Sequence, residues 1–291
     1  MNLSPICEQQ LGEAWVRLTR LGQLAASRGD RVALVGGVVR DLLLEEEPSG
    51  DLDLVVEGDA IALTKAWQSQ EGGELHPHLP FHNASWELGS IHMDLIRART
   101  EHYPGVAQLP EVHPASIEED LIRRDFRLNA MAIALHPDHL GRLIDPYKGF
   151  PDLQERKLEV FHSRSFSDDP TRLLRAARYS TRLNLRLGDS CHEALQIARE
   201  NQALMQLGLE RYGRELHRLL SEFKAAESIE CAVGLGVFER LPLETFSLIT
   251  GAEDCARIPQ HWRGEALDQA DLLWLLVADQ LENPAEWVRL I

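Results

Sequence analysis

The chain contains no apolar stretch approaching the length of a membrane span, which argues against a helical membrane protein. Its first residues, with Glu8 and Glu13 among them, lack the pattern of a secretory signal. Cysteine is scarce. Cys7, Cys191, Cys231 and Cys255 form no Cys-x-x-Cys pair, so neither a zinc ribbon nor a disulfide framework is expected. Reduced thiols of a cytoplasmic protein are the expectation. Base is also in short supply, 30 Lys and Arg against 46 Asp and Glu, for a net charge of −16. That balance argues at first sight against nucleic acid, but distribution matters more than the sum. Glu45 to Glu47, Glu118 to Asp120 and the last forty residues carry much of the acid, whereas arginines concentrate between Arg123 and Arg218. What is present is an ordinary globular composition, 44% hydrophobic over 291 residues, enough for one to three domains with a real core.

The most informative stretch is Leu34-Val-Gly-Gly-Val-Val-Arg-Asp41, followed by Asp51-Leu-Asp53. Val32 to Val35 reads as a buried strand, Gly36 and Gly37 as a tight turn, and Val38 to Leu44 as the start of a helix. A glycine turn entering a helix presents free backbone N–H groups to an anion such as a triphosphate. Asp51-Leu-Asp-Leu-Val-Val56 reads as a second strand. Alternation then puts Asp51 and Asp53 on one face. Two carboxylates side by side repel unless a cation separates them, and hard oxygen donors suit Mg²⁺. No third glycine completes a dinucleotide-binding G-x-G-x-x-G, since Val39 and Arg40 follow. Val55 and Val56 likewise exclude a calcium loop beginning at Asp51.

The pattern divides the chain. Residues near 8 to 28 are predicted to form one amphipathic helix, and from 31 to about 146 short β-rich runs alternate with helices. The runs are 32–35, 51–56, Ser85 to Leu88, Ile91 to Ile96 and Met131 to Leu135, with Gly89-Ser90 as a hairpin turn. The hairpin aims Asp94 to the same side as His92 and Ile96, where it is either a third carboxylate or a solvent-facing strand residue. His76, His78 and His82 fall in a Pro-rich stretch without ligand spacing and are expected on a loop surface. Beyond Gly149-Phe150-Pro151 the pattern is helical, with no clear strand and no internal repeat. The fold class expected is α+β: a mixed-sheet head, then an all-α remainder.

Two further constellations carry arginine. In Glu118-Glu-Asp-Leu-Ile-Arg-Arg-Asp125, Asp125 can hold one guanidinium while the other of Arg123 and Arg124 reaches a phosphate. Asp168-Asp-Pro-Thr-Arg172 reads as a helix start with Asp at the N-cap. The helix then places Arg172, Arg175, Arg178, Arg182 and Arg186 three or four residues apart along one face, without interleaved glutamates. Such a stripe is either a solvated basic face or a surface for an anionic ligand, and the missing glutamates favour the ligand.

Taken in order, these motifs resemble the class II tRNA nucleotidyltransferases, the CCA-adding and bacterial poly(A) polymerase family of the polymerase-β-like superfamily. The resemblance spans about residues 31 to 220 through Val35 to Asp53, Glu119 to Ala130, Asp145-Pro-Tyr-Lys-Gly149, Asp168 to Arg178 and Leu209-Glu-Arg-Tyr-Gly-Arg-Glu-Leu216. It implies a catalytic head over 1–150, a helical neck over 151–220 and a helical body over 221–291, shorter than the family's full-length body. It implies that Asp51 and Asp53 are catalytic and hold Mg²⁺, and that Gly37, Arg40 and Arg124 contact a triphosphate. Asp169 and Arg172 would read the base, with Arg175 and Arg178 in support. The implied reaction adds C or A from CTP or ATP to a tRNA 3′ end, in the cytoplasm and away from membranes. Poly(A) addition to RNA is the enzymatic alternative, and a non-catalytic RNA-binding relative the alternative of another class. The segment Tyr103 to Ser116, where many members carry a flexible loop, has no Arg or Lys here, and no His-Asp dipeptide indicates a fused phosphohydrolase domain.

Overall fold

A computed structural model of the chain describes residues 1–46, 48, 51–79, 82–241, 245–257 and 269–280. Glu47 and much of the acidic C-terminal stretch lie outside the described residues. The chain forms two compact units: residues 1–102 with 110–155, and residues 156–291 with the excursion Tyr103–Leu109.

In the first unit, α1 (Ser4–Leu11) and α2 (Glu13–Ser27) precede β1 (Arg31–Val35) and α3 (Gly37–Leu43). The single helix expected over 8–28 is therefore two. Gly12, at φ +51°, breaks it in the left-handed region that residues with a Cβ avoid. Then follow β2 (Asp51–Glu57), α4 (Ala60–Glu71), β3 (Glu74–His78), β4 (Asn83–Leu88), β5 (Ile91–Arg97), β6 (Arg99–His102) and β7 (Glu111–Pro114). The unit closes with α5 (Ile117–Ile122), β8 (Ala132–Ala134), β9 (Leu143–Ile144) and α6 (Gly149–Gln154).

Seven strands make one mixed sheet in the order β3-β4-β5-β2-β1-β8-β9, in which β2 and β5 run parallel and the other neighbours antiparallel. The alternation along β2 sends Leu52, Leu54 and Val56 into the core. They join Met93 and Leu95 of β5 and Leu18, Leu21, Val38 and Leu63 from the helices. The opposite face carries Asp51 and Asp53 at one end of β2, with Val55 buried beyond them. The Pro-rich stretch with His76 and His78 is not a loop but the edge strand β3, since Pro77 is tolerated where one side of a strand has no partner. Within the segment 103–116, β7 pairs antiparallel with β6 as a hairpin.

The second unit contains β10 (Lys157–Leu158), α7 (Ser165–Asp168), α8 (Thr171–Arg182), β11 (Arg186–Leu187) and α9 (Asp189–Glu200). It continues through α10 (Ala203–Gln206), α11 (Leu209–Leu220), α12 (Ala225–Gly234), α13 (Thr245–Arg257) and α14 (Gln269–Asp279). Its helices agree with the expectation, with one correction: β10 and β11 pair in parallel, Lys157 opposite Arg186 and Leu158 opposite Leu187. Strands of two residues are too short for any periodicity to reveal. No helix among the described residues is long and apolar enough to cross a membrane.

Candidate active site

Strand pairing assembles the acidic face. The parallel register sets Asp51 opposite His92 and Asp53 opposite Asp94, so three carboxylates and an imidazole share one side of β2 and β5. The His92 ring lies between them, Nδ1 3.5 Å from Asp51 and Nε2 3.9 Å from Asp94. From β4, Ser85 donates to Asp94 Oδ1 at 2.5 Å and fixes that carboxylate's orientation. Asp51 is 79% exposed, whereas Asp53 is partly covered. Burial pushes the Asp53 carboxyl above the usual carboxylate range; Arg124 opposes this, and Asp94 and Asp51 reinforce it. His92 and Ser85 had no motif of their own. Only the register of three strands brings them to the acids.

The glycine turn sits against this cluster. Gly36 has φ +82°, and a Cβ there would lie 3.2 Å from a terminal nitrogen of Arg124 and 3.4 Å from Asp53 Oδ2. Arg124 and Asp53 therefore converge on the bare backbone of Gly36. The Arg124 side chain is only 14% exposed, donates to Asp120 Oδ2 at a long 3.5 Å, and its buried Nε has no acceptor among the described residues. Burial lowers its pKa, opposed mainly by Asp120. Asp120 accepts from both arginines of the pair, taking Arg123 Nε at 2.8 Å, the part expected of Asp125. Asp125 accepts from Phe126 N and from Asn129 Nδ2 at the start of the short turn that leads into β8, and its charge acts on Arg124 as well.

Gly37 and Arg40 meet at the turn. Arg40 is 4% exposed and points inward, donating to Asp41 and, at 2.7 Å, to Asn129 Oδ1. Its guanidinium lies 3.4 Å from the position of a Gly37 Cβ, so it braces the turn from beneath.

In the second unit, Asp168 ends α7, and the residue at the N-cap of α8 is Pro170 rather than an aspartate. Asp169 nevertheless serves the start of that helix, accepting from Thr171 N at 3.1 Å and Thr171 Oγ1 at 2.6 Å. Arg172 is buried, donates to Ser165 Oγ at 2.6 Å and lies 6.0 Å from the Tyr103 ring centroid. The arginine stripe also needs correcting. Arg186 lies on β11, beyond the end of α8. Three of the others meet protein carboxylates: Arg178 pairs with Glu215 at 3.2 Å and Glu222 at 2.9 Å, Arg175 approaches Glu215 at 3.9 Å and Arg182 approaches Glu222 at 3.8 Å. The anion that the stripe requires is supplied in part by α11 and the turn after it, which no local sequence pattern could show.

Glu74, His76 and Glu87 bring ligand atoms within 4.8 Å of one another on β3 and β4. All three are exposed, and Glu74 and His76 lie on the edge strand β3, where charged side chains deter edge-to-edge pairing.

A family model described as the poly(A) polymerase head domain matches residues 32–159. A solved CCA-adding enzyme in an apo form superposes with a TM-score of 0.87 at 32% identity, covering 99% of this chain and 70% of that one. The chain belongs to the tRNA nucleotidyltransferase and poly(A) polymerase family. It is 40% identical over 254 residues to the A-adding tRNA nucleotidyltransferase of Halalkalibacterium halodurans, covering 86% of this chain and 59% of the relative. To the CC-adding tRNA nucleotidyltransferase of Deinococcus radiodurans it is 38% identical over 214 residues, covering 72% and 55%. The chain thus spans between half and three fifths of the length of these two family members.

Proposed function

We propose that this family member adds C or A, from CTP or ATP, to tRNA 3′ ends with release of pyrophosphate. The observation that carries the proposal is the convergence at Gly36: a largely buried arginine, its Nε without an acceptor among the described residues, faces a cluster of carboxylates across bare backbone. An anion with several negative oxygens would satisfy Arg124, and a divalent cation would relieve Asp53, Asp51 and Asp94. The donor set is all hard carboxylate oxygen, which fits Mg²⁺, and Asp53 and Asp51 would hold it with Asp94 alongside. Mg²⁺ bound there would supply charge neutralisation at the attacking 3′ oxygen and the departing pyrophosphate.

The chain's own residues do the rest. Arg124 and the Gly36–Gly37 turn bind the triphosphate, and Arg40 keeps that turn in place from beneath. Asp169 accepts from the exocyclic amino group of C or A, while Arg172 donates to the ring nitrogen on the same edge. G and U present a carbonyl where Asp169 needs a donor, and a base that leaves buried polar groups unpaired is strongly rejected. Arg175 and Arg178, tied to Glu215, hold the base-reading helix. The setting proposed is the cytoplasm, where tRNA is processed.

The test uses purified protein, tRNA transcripts ending before, within and after the CC sequence, and each of the four labelled triphosphates separately. Incorporation of C or A at the 3′ end is expected. Extended runs of A on unrelated RNA would favour the poly(A) reading, and no incorporation with any transcript would overturn the proposal.

A further inference from the structure

Arg211, on the first turn of α11, belongs to the last of the sequence motifs but has no part in the base-reading scheme above. Its guanidinium makes two contacts. One terminal nitrogen donates to Asp169 Oδ1 at 2.8 Å, and the other to the carbonyl of Ala107 at 3.4 Å. Ala107 has φ +56° in the excursion Tyr103–Leu109, and its own N–H donates to Ser167 O at 3.0 Å. The planar fork is thus held at two points, between a carboxylate and a backbone carbonyl that is itself tethered.

The consequence falls on the two oxygens of Asp169. Oδ1 receives Thr171 N, Thr171 Oγ1 and Arg211. No described residue donates to Oδ2, and the side chain is 18% exposed. The terminal torsion of an aspartate is broad and nearly two-fold, so an untethered carboxylate would present either oxygen over a range of angles. Three donors on one oxygen remove that freedom. The remaining oxygen has a fixed direction, and as a carboxylate it can only accept.

We propose that Arg211 is a specificity-determining positioning residue: by holding Oδ1 together with Thr171, it directs Oδ2 of Asp169 at the incoming base. The inference rests on the base-reading role proposed for Asp169. Lysine cannot replace the fork, because a single ammonium on a flexible stem lacks two coplanar donors. A charge-preserving substitution should therefore fold but read the base less strictly.

The experiment measures kcat/KM for ATP, CTP, GTP and UTP on truncated tRNA transcripts. It compares wild type with Arg211→Lys, Arg211→Ala, Thr171→Val and Asp169→Asn, each with a melting curve. In Arg211→Ala the preference for the amino-bearing bases over GTP and UTP should fall about tenfold, the equivalent of about 1.4 kcal/mol. Arg211→Lys should fall between that variant and wild type, at a near-native melting temperature. Thr171→Val, nearly isosteric, should lose preference in the same direction. Should Arg211→Ala fail to fold, Arg211→Lys and Thr171→Val still decide the matter. Equal slowing of all four triphosphates in the Arg211 and Thr171 variants would mark a purely structural role and overturn the proposal. So would unchanged preference in those variants beside a changed preference in Asp169→Asn, which leaves the base-reading role of Asp169 standing. Unchanged preference in Asp169→Asn as well would overturn both.

Discussion

Asp53 and Asp94 stand directly opposite each other on the parallel strands β2 and β5, with Arg124 on the other side of Asp53 across Gly36. Asp53 is thus pushed toward its neutral form by burial and two neighbouring acids, while Arg124 is the main cation opposing them. Asp53→Ala or Asp51→Ala should abolish transfer, by about a thousandfold or more, the rate equivalent of about 4 kcal/mol. Removing one of several crowded charges should leave the melting temperature at or above that of wild type. Near-normal turnover of either variant at saturating Mg²⁺ would refute the metal assignment.

Gly36→Ala should be harmful twice over. The residue must take φ +82°, which costs a non-glycine residue about 1 kcal/mol or more. Its methyl group would also press against Arg124 and Asp53. We expect a lowered melting temperature and a raised KM for the nucleotide. A variant with wild-type values of both would show that the convergence at this turn has no functional part.

Glu215 is buried and accepts from Arg178 and from Arg218. Glu215→Gln keeps the shape and removes the charge, leaving the mostly buried Arg178 to rely on Glu222. Breaking a buried pair by removing one partner typically costs about 3–5 kcal/mol, and the surviving contact should hold the loss near the lower end of that range. Urea unfolding would measure it. A change within error would mean that the stripe is neutralised elsewhere.

Cys7 is fully buried in the core beneath the sheet, and burial pushes its thiol up to about 12 from 9.0. The folded state therefore holds the proton more tightly than the unfolded state does. This contribution is intact below about pH 9 and is lost progressively as the pH rises toward 12. The slope is about 1.4 kcal/mol per pH unit for one thiol. Cys7→Ala should show a shallower loss of stability across that window than wild type. Identical pH profiles for the two proteins would contradict the assignment.

Much of this protein was legible in one dimension because the relevant signals are local. The turn at Gly36–Gly37, the strands around Leu34 and Leu54, and the shared face of Asp51 and Asp53 follow from backbone sterics and the two-residue period of a strand. Leu52, Leu54 and Val56 are apolar at every second position of β2, and all three join the core cluster. The helices after residue 165 were legible for the same reason, at the helical period.

Tertiary structure alone decided which distant side chains meet. The parallel pairing of β2 with β5 places Asp94 and His92 beside Asp51 and Asp53, although α4, β3 and β4 intervene between the two strands. Glu215 and Glu222 neutralise an arginine on a helix well before them in the chain, and Arg211 reaches back to Asp169 across a similar span. Arg40 shows the limit most plainly. Its place in the motif names no protein partner, yet its guanidinium donates to Asp41 and to the distant Asn129. Spacing along the chain reports the direction of a side chain only within its own element; what stands opposite depends on strand register and helix packing, which are set by the burial of the whole core.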